Sequence, residues 1–419
     1  MLFAVAPTED LTRQKSRFYD IVNVTILHSD TQQMTKLGTT VDDFDAASLP
    51  FDRESMLAGL KEWVEQESPT YERDAVDRMM DRASRDLATM GGRVERIPGA
   101  MGFGDCMKCS FHHPRTPDPG ILVMGHMDTV HPLGTLAALP WRRDGEFVYG
   151  PGILDMKGGN YLSLEAIRQL QRAGIATPLP VTVLFTSDEE VGSPSTRALI
   201  EAEAARHKYV LVPEPGRRNG GVVTGRYAIA RFSIETGGRP SHAGLRLSEG
   251  VSAIREMAHQ IIAVEAMTDE ETGYSVGIVN GGRWSNCVST SCRAEALVSA
   301  TTEEKLATAI ARMSALGPVG AETTVSVTTG VVRPVWTSND ASWALYEHAS
   351  ALAKRLGFDI PHQNSGGGSD GNFTGAMGVA TLDGLGACGD GPHTLGEFIV
   401  ASSLVERGRL MAALLATLR

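Results

Sequence analysis

Three short apolar runs constrain this chain more than any other feature. Residues 121–124 (ILVM), 181–185 (VTVLF) and 209–212 (YVLV) are bounded by turn-forming residues and are too short for helices. They read as strands buried on both faces. Helical spacing lies between them: Leu162, Ala166, Ile167 and Leu170 share one face of residues 160–172, and residues 198–207 predict a second helix. Strands alternating with helices predict an α/β sheet covered on both sides. Upstream, Met56, Leu57, Leu60, Trp63 and Val64 recur at helical spacing, as do Val76, Met79, Met80, Ala83 and Leu87, with Gly91 and Gly92 ending the second helix.

Near residue 223 the pattern changes. Residues 227–235 (YAIARFSIE) alternate imperfectly between apolar and polar, as a strand with one wet face does. A helix at 249–266, strands near 275–279 and 288–299, a helix at 302–316 and a strand at 322–330 complete an α+β unit. The chain then returns to helix, glycine-rich loop, strand, loop and helix. The simplest organisation is an N-terminal extension over 1–48, a first domain over 49–222, an inserted domain over 223–332, and completion of the first domain by 333–419. Residues 1–48 are polar, without periodicity, and close on the acidic run Asp42, Asp43 and Asp45.

Each buried strand runs into potential metal ligands. The first leads to Gly125, His126, Met127 and Asp128, the second to Asp188, Glu189 and Glu190, the third to Pro213 and Glu214. Ligands in open α/β sheets bind beyond the carboxyl ends of strands, so these groups could face one crevice. Asp155 lies in the run GPGILDMKGG, just before a helix. Taken singly, His126 with Asp128 reads as a hydrogen-bonded pair, Glu189 and Glu190 as a solvated turn, and Asp155 as a helix-start acid. Together at strand ends they fit a metal centre, because imidazole and carboxylate are what zinc accepts in the absence of thiolate.

Composition narrows the partners. The 419 residues carry 39 Lys+Arg against 50 Asp+Glu, a net charge of −11, which disfavours nucleic acid as a partner because phosphate binding needs a basic surface. No run approaches the ~20 apolar residues of a membrane helix, and the apolar start MLFAVAPTED has no preceding basic residues. The expectation is a cytoplasmic protein with neither nucleic acid nor membrane as partner. Five cysteines argue against a disulfide framework. Cys106 and Cys109, followed by His112 and His113, raise a small zinc site. They fall on a predicted strand, where residues three apart face opposite ways, and no second pair follows.

The motifs GHMDTV, GPGILDMKGG, TSDEEVGS, PEP, RPSHAG, GGGSD and GPHTLGE occur in this order. From Leu49 to the end the chain resembles the two-metal aminoacylase, succinyl-diaminopimelate desuccinylase and glutamate carboxypeptidase family, and most of all its glutamate carboxypeptidase branch. That resemblance implies a zinc-exopeptidase-like catalytic domain with an inserted ferredoxin-like dimerisation and lid domain. It implies two zinc ions, with cobalt or manganese as alternatives. His126 and Glu214 would hold one ion, Glu190 and His393 the other, and Asp155 would bridge them. Asp128 would orient the His126 imidazole, and Glu189 would be the general base, aided by an unusual bend in the peptide bond between Glu189 and Glu190. His242 would reach a neighbouring subunit's site and stabilise the oxyanion, and Asn286 would bind substrate.

Arginine pairs a carboxylate bidentately, so Arg333 is the candidate for a substrate carboxylate. Gly367, Gly368 and Ser369 form a loop whose N–H groups could hold an anion. The implied substrate is a small N-acyl amino acid or short peptide. Trp336 departs from the glutamate carboxypeptidase pattern and leaves the released amino acid open. A homodimer is expected, with residues 227–235 and 288–299 pairing across a two-fold axis. Competing readings are a non-catalytic metal or amino-acid binder, a deacylase of non-acidic specificity, and a two-metal phosphoesterase.

Overall fold

A computed structural model describes residues 44–419. The earlier part of the predicted extension lies outside the described residues. Its end does not behave as an extension: Asp45 caps a short turn at Ala46–Ser48, and Ala46, Leu49 and Phe51 are buried. The packed body therefore begins before residue 49.

Two helices open it, α1 (Arg53–Val64) and α2 (Arg73–Thr89). Asp52 starts α1 by accepting the Ser55 N–H at 2.8 Å, which satisfies one of the donors a helix start leaves open. Trp63 buries completely and meets the rings of Tyr161 and Phe185 edge-on at 5.4 and 6.3 Å. Strands β1 (Arg93–Ile97), β2 (Cys106–Ser110) and β3 (Gly120–His126) follow, then a short hairpin of β4 (Arg142–Asp144) and β5 (Phe147–Tyr149). Helix α3 (Gly158–Arg172), β6 (Val181–Thr186), α4 (Arg197–Ala204), β7 (His207–Val212) and β8 (Val222–Arg226) complete the first stretch. All three apolar runs are strands, and they run one to three residues longer than the sequence suggests.

The next segment contains β9 (Ala228–Gly237), α5 (Ala253–Glu265), β10 (Thr272–Gly281), β11 (Ser291–Ala300), α6 (Glu303–Ser314) and β12 (Thr324–Arg333). The chain closes with α7 (Asp340–Arg355), β13 (His362–Ser365), α8 (Gly371–Ala376), β14 (Ala380–Asp383), β15 (Gly389–Asp390), β16 (Phe398–Val400) and α9 (Ala401–Thr417).

The large sheet has eight strands in the order β1-β2-β6-β3-β7-β14-β8-β13. β6, β3, β7 and β14 run parallel at its centre, and every residue of β3 and β14 is buried. Parallel strands with both faces covered require this apolar sequence. Their carboxyl ends lie side by side. A smaller sheet, β15-β16-β5-β4, joins the last segment to the first.

The second large element is antiparallel, β10-β11-β9-β12, in the β-α-β-β-α-β order of a ferredoxin-like unit. Phe232, Ile234, Met257, Val298, Leu306 and Met313 belong to its own buried core. Two sequence readings need correction. Residues 223–226 belong to β8 of the eight-stranded sheet, so the antiparallel unit begins at Ala228. β9 and β11, the strands expected to pair across a two-fold axis, are the two inner strands. Their backbone groups are already spent on β12, on β10 and on each other, which leaves β10 and β12 as the edges. Among the described residues, no helix is long and apolar enough to cross a membrane.

Candidate active site

His126 is the last residue of β3, Glu189 and Glu190 follow β6 in a tight turn, and Glu214 follows β7 by two residues. Because β6, β3 and β7 are neighbours, these groups meet by construction. Asp155 arrives from the segment before α3, in non-helical backbone (φ −114°, ψ 94°), so it is not a helix-start acid. α3 can approach closely because Gly159 lacks a side chain: a Cβ there would lie 1.8 Å from the Pro213 carbonyl oxygen. His393 comes from the loop between β15 and β16, at φ +64°.

The geometry centres on Asp155. Its Oδ1 lies 3.2 Å from His126 Nε2, and its Oδ2 lies 3.3 Å from His393 Nε2. Glu214 Oε1 is 3.8 Å from His126 Nε2, and Glu190 Oε2 is 3.2 Å from His393 Nε2. Thus His126 with Glu214 stands on one side of Asp155, and His393 with Glu190 on the other. Glu189 Oε2 is 3.9 Å from His126 Nε2, alongside the cluster. Ligand atoms of His126, Glu189 and Glu214 lie within 4.8 Å of one another, as do those of His126, Asp155 and Glu190.

These groups perturb each other strongly. For Glu190, burial and then the Asp155 charge push the carboxyl up to about 7, and the same two causes raise Glu214. For Asp155, burial raises the carboxyl, but hydrogen bonds and charge from His126 and His393 outweigh it and hold it below the usual range. Bonds to Asp155 and Glu190 raise His393 to about 11. For His126, burial opposes protonation, yet Asp128, Asp155 and Glu189 carry it well above its ordinary value. Four carboxylates converge on two imidazoles, with Arg333 ion-paired to Glu189 behind them, a donor set with room for added positive charge. The Glu190 Oε1 atom is buried without a hydrogen-bond partner. Divalent cations with oxygen and nitrogen preferences fit this donor set.

Surrounding groups hold the cluster. The Asp128 backbone carbonyl accepts from His126 Nδ1 at 2.9 Å, closer than the carboxylate oxygen at 3.4 Å. The carboxylate itself receives the N–H groups of Glu189 and Glu190, each at 3.2 Å, and the Thr70 hydroxyl at 2.8 Å. Asp128 therefore orients the imidazole mainly through its main chain and fixes the glutamate turn with its side chain. Glu189 and Glu190 open a 3₁₀ turn, and the non-proline cis bond among the described residues joins Asp155 to Met156 instead.

Arg333, the last residue of β12, is 4% exposed. Its Nη2 forms an ion pair with Glu189 Oε1 at 2.7 Å and donates to the Glu189 carbonyl at 2.8 Å and to Ser193 Oγ at 3.1 Å. Asp370, which burial and then the Glu189 charge push up to about 7, lies 3.5 Å away. Arg231 of β9 donates to the Glu190 carbonyl at 2.9 Å. The antiparallel unit thus grips the glutamate turn with two arginines. Arg231 carried no sequence signal, since an arginine on an alternating strand reads as its wet face.

Of the glycine-rich loop, Gly367 and Gly368 are more open, and a Cβ on Gly368 would lie 3.2 Å from Arg333 Nη1. Ser369 is committed elsewhere: its hydroxyl donates to Asp383 at 2.6 Å and its N–H to Asn372 at 2.9 Å. That corrects its reading as an anion donor. His242 and Asn286 are exposed and adjacent, with the Ala243 N–H donating to the Asn286 carbonyl at 2.9 Å. Among the described residues, neither has a hydrogen bond or ion pair to the metal-ligand candidates. Trp336 is 1% exposed and packs against Gly375, so it belongs to the core and not to a substrate pocket. Burial pushes the Cys106 and Cys109 thiols up to about 12, and neither joins a metal cluster among the described residues.

The model of peptidase family M20/M25/M40 matches residues 122–417. Carboxypeptidase G2 of Pseudomonas sp. (strain RS-16) is 32% identical over 301 residues, covering 70% of this chain and 72% of the relative. Acetylornithine deacetylase of Myxococcus xanthus is 28% identical over 188 residues, 41% of this chain and 47% of its own. Among solved structures, human carnosine dipeptidase 1 superposes with a TM-score of 0.70 at 14% identity, over 89% of this chain and 98% of that one. An M20 family metallo-carboxypeptidase from Sulfolobus solfataricus gives 0.68 at 15% identity, over 88% and 99%. At such identities the structures speak for the fold alone.

Proposed function

The chain belongs to peptidase family M20/M25/M40 and is a hydrolytic enzyme, and on that premise we propose that it cleaves an amide bond next to a free carboxylate. The substrate is an N-acyl amino acid or a peptide ending in an acidic residue, and the site works with two zinc ions, accepting cobalt or manganese. The observation that carries this reading is Asp155, whose two oxygens face two different histidines with Glu189 alongside. A metal-binding protein without chemistry has no use for that additional carboxylate.

Bound divalent cations supply Lewis acidity, which polarises the scissile carbonyl and acidifies water. His126 and Glu214 would hold one of them and His393 and Glu190 the other, with Asp155 placed between the two pairs. Glu189 takes the proton of the attacking water and returns it to the leaving nitrogen, splitting the proton traffic of hydrolysis into two short transfers. Arg333 lies between Glu189 and Gly368, so a substrate carboxylate held at residues 366–368 would meet its guanidinium. His242 donates a hydrogen bond to the oxyanion, where a fixed donor acts on charge only as it develops. Asn286 binds the substrate beside it.

His242 and Asn286 act on the site of a partner subunit in this reading. The dimer forms through the β10 edge, not through β9 and β11. β10 exposes Ile278 and Val279, and the adjoining α5 exposes Ile254 and Ile262, at 44 to 69%. An open edge beside exposed isoleucines favours closure by a two-fold copy.

A hydrolysis panel with the zinc-loaded protein tests the substrate class: N-acyl-glutamates, N-acyl-aspartates, folate-like conjugates, dipeptides, and the amidated form of each. Turnover confined to free carboxylates is the predicted result. Equal turnover of free and amidated substrates would sink the carboxylate requirement.

A further inference from the structure

Glu397 lies four residues beyond His393 and is 1% exposed. A buried carboxylate is costly unless its oxygens are fully bonded, and this one has four donors. Its Oε1 accepts the N–H of Leu154 at 2.8 Å and of Asp155 at 3.0 Å. Its Oε2 accepts the N–H of Gly152 at 2.9 Å and pairs with His131 Nε2 at 2.7 Å. Gly152, at φ +67°, lets successive N–H groups converge into a concavity suited to an anion. The anion that fills it is the chain's own Glu397.

The connection reaches three ligand-bearing segments at once. His131 lies five residues beyond His126, Asp155 donates its own N–H, and Glu397 closes the loop that carries His393, donating its N–H to the Thr394 carbonyl at 3.3 Å. We propose that Glu397, with His131, is the positioning residue of the metal centre. It holds Asp155 and His393 in one frame, so that the two Asp155 oxygens stay divided between the two histidines. This rests on the metal-centre reading above and adds to it a requirement for a group that binds neither metal nor substrate. Glutamine cannot replace it, because an amide nitrogen would face a backbone N–H where an acceptor is needed.

Zinc content and affinity measured by equilibrium dialysis separate the outcomes, with the melting temperature of the metal-free protein recorded in parallel. The parent should bind two zinc ions; if it binds none, the metal-centre reading fails. In Glu397→Gln one zinc should weaken ~10–100-fold, the usual effect of losing a group that orients a ligand. Raised zinc should then restore kcat with KM unchanged. If Glu397→Gln does not fold, His131→Gln, which leaves the three backbone bonds of Glu397 in place, should weaken the same zinc by roughly a few-fold to tenfold. Parental zinc affinity in folded variants overturns the proposal, whether or not their melting temperatures fall.

Discussion

Glu189 and Glu190 are adjacent, yet the structure gives them different surroundings. Glu190 faces His393, while Glu189 lies against Arg333 and nearer to His126. Glu189→Gln should therefore keep its metal while kcat falls ~10²–10⁴-fold, the range of general-base catalysis; loss of zinc on dialysis would make Glu189 a ligand. The perturbed groups also predict proton release. In the metal-free protein, His393 at about 11 and, in part, Glu190 at about 7 hold protons at neutral pH that metal must displace, and the upward shifts of His126 and Glu214 act in the same direction. Zinc affinity should then fall as pH falls, and calorimetry in buffers of different ionisation enthalpy should show buffer-dependent heats at pH 7. Identical heats would contradict this. The ligand candidates were legible because each follows a recognisable strand or lies within a motif. Glu397 closes the motif GPHTLGE, but its pairing with His131, like the contact of Arg231, was not legible, because it joins segments up to 266 residues apart.

At the scale of elements, the alternation of apolar runs with helices was enough to foretell the parallel centre of the large sheet, because only strands covered on both faces need uninterrupted apolar sequence. Strand order was not legible. Nothing in residues 227–235 or 288–299 shows whether a strand is inner or edge, since both alternate in the same way. Nor does the sequence show that residues 223–226 pair with β13 and not with the antiparallel unit. The edge matters for assembly. Ile278→Lys combined with Ile262→Lys places charge beside the β10 edge and should convert the proposed dimer to monomer in sedimentation, with activity falling in step if, as proposed, the partner supplies His242. A monomeric variant with parental kcat/KM would show that His242 acts within its own chain or not at all.

For the whole molecule, two units divide the labour. The eight-stranded sheet brings His126, Glu189, Glu190 and Glu214 to one end, while the antiparallel unit contributes Arg231 and Arg333 to the back of the same glutamate turn. Glu189 thus sits where the two units touch, within a group of carboxylates that fits bound cations. Metal dependence is accordingly the central claim. Hydrolysis of an N-acyl-glutamate should be followed in protein stripped by a chelator and verified metal-free, then reloaded in steps with zinc. Activity is predicted to vanish in the stripped protein and to return fully as about two equivalents are bound. Full activity in the verified metal-free protein would contradict the account.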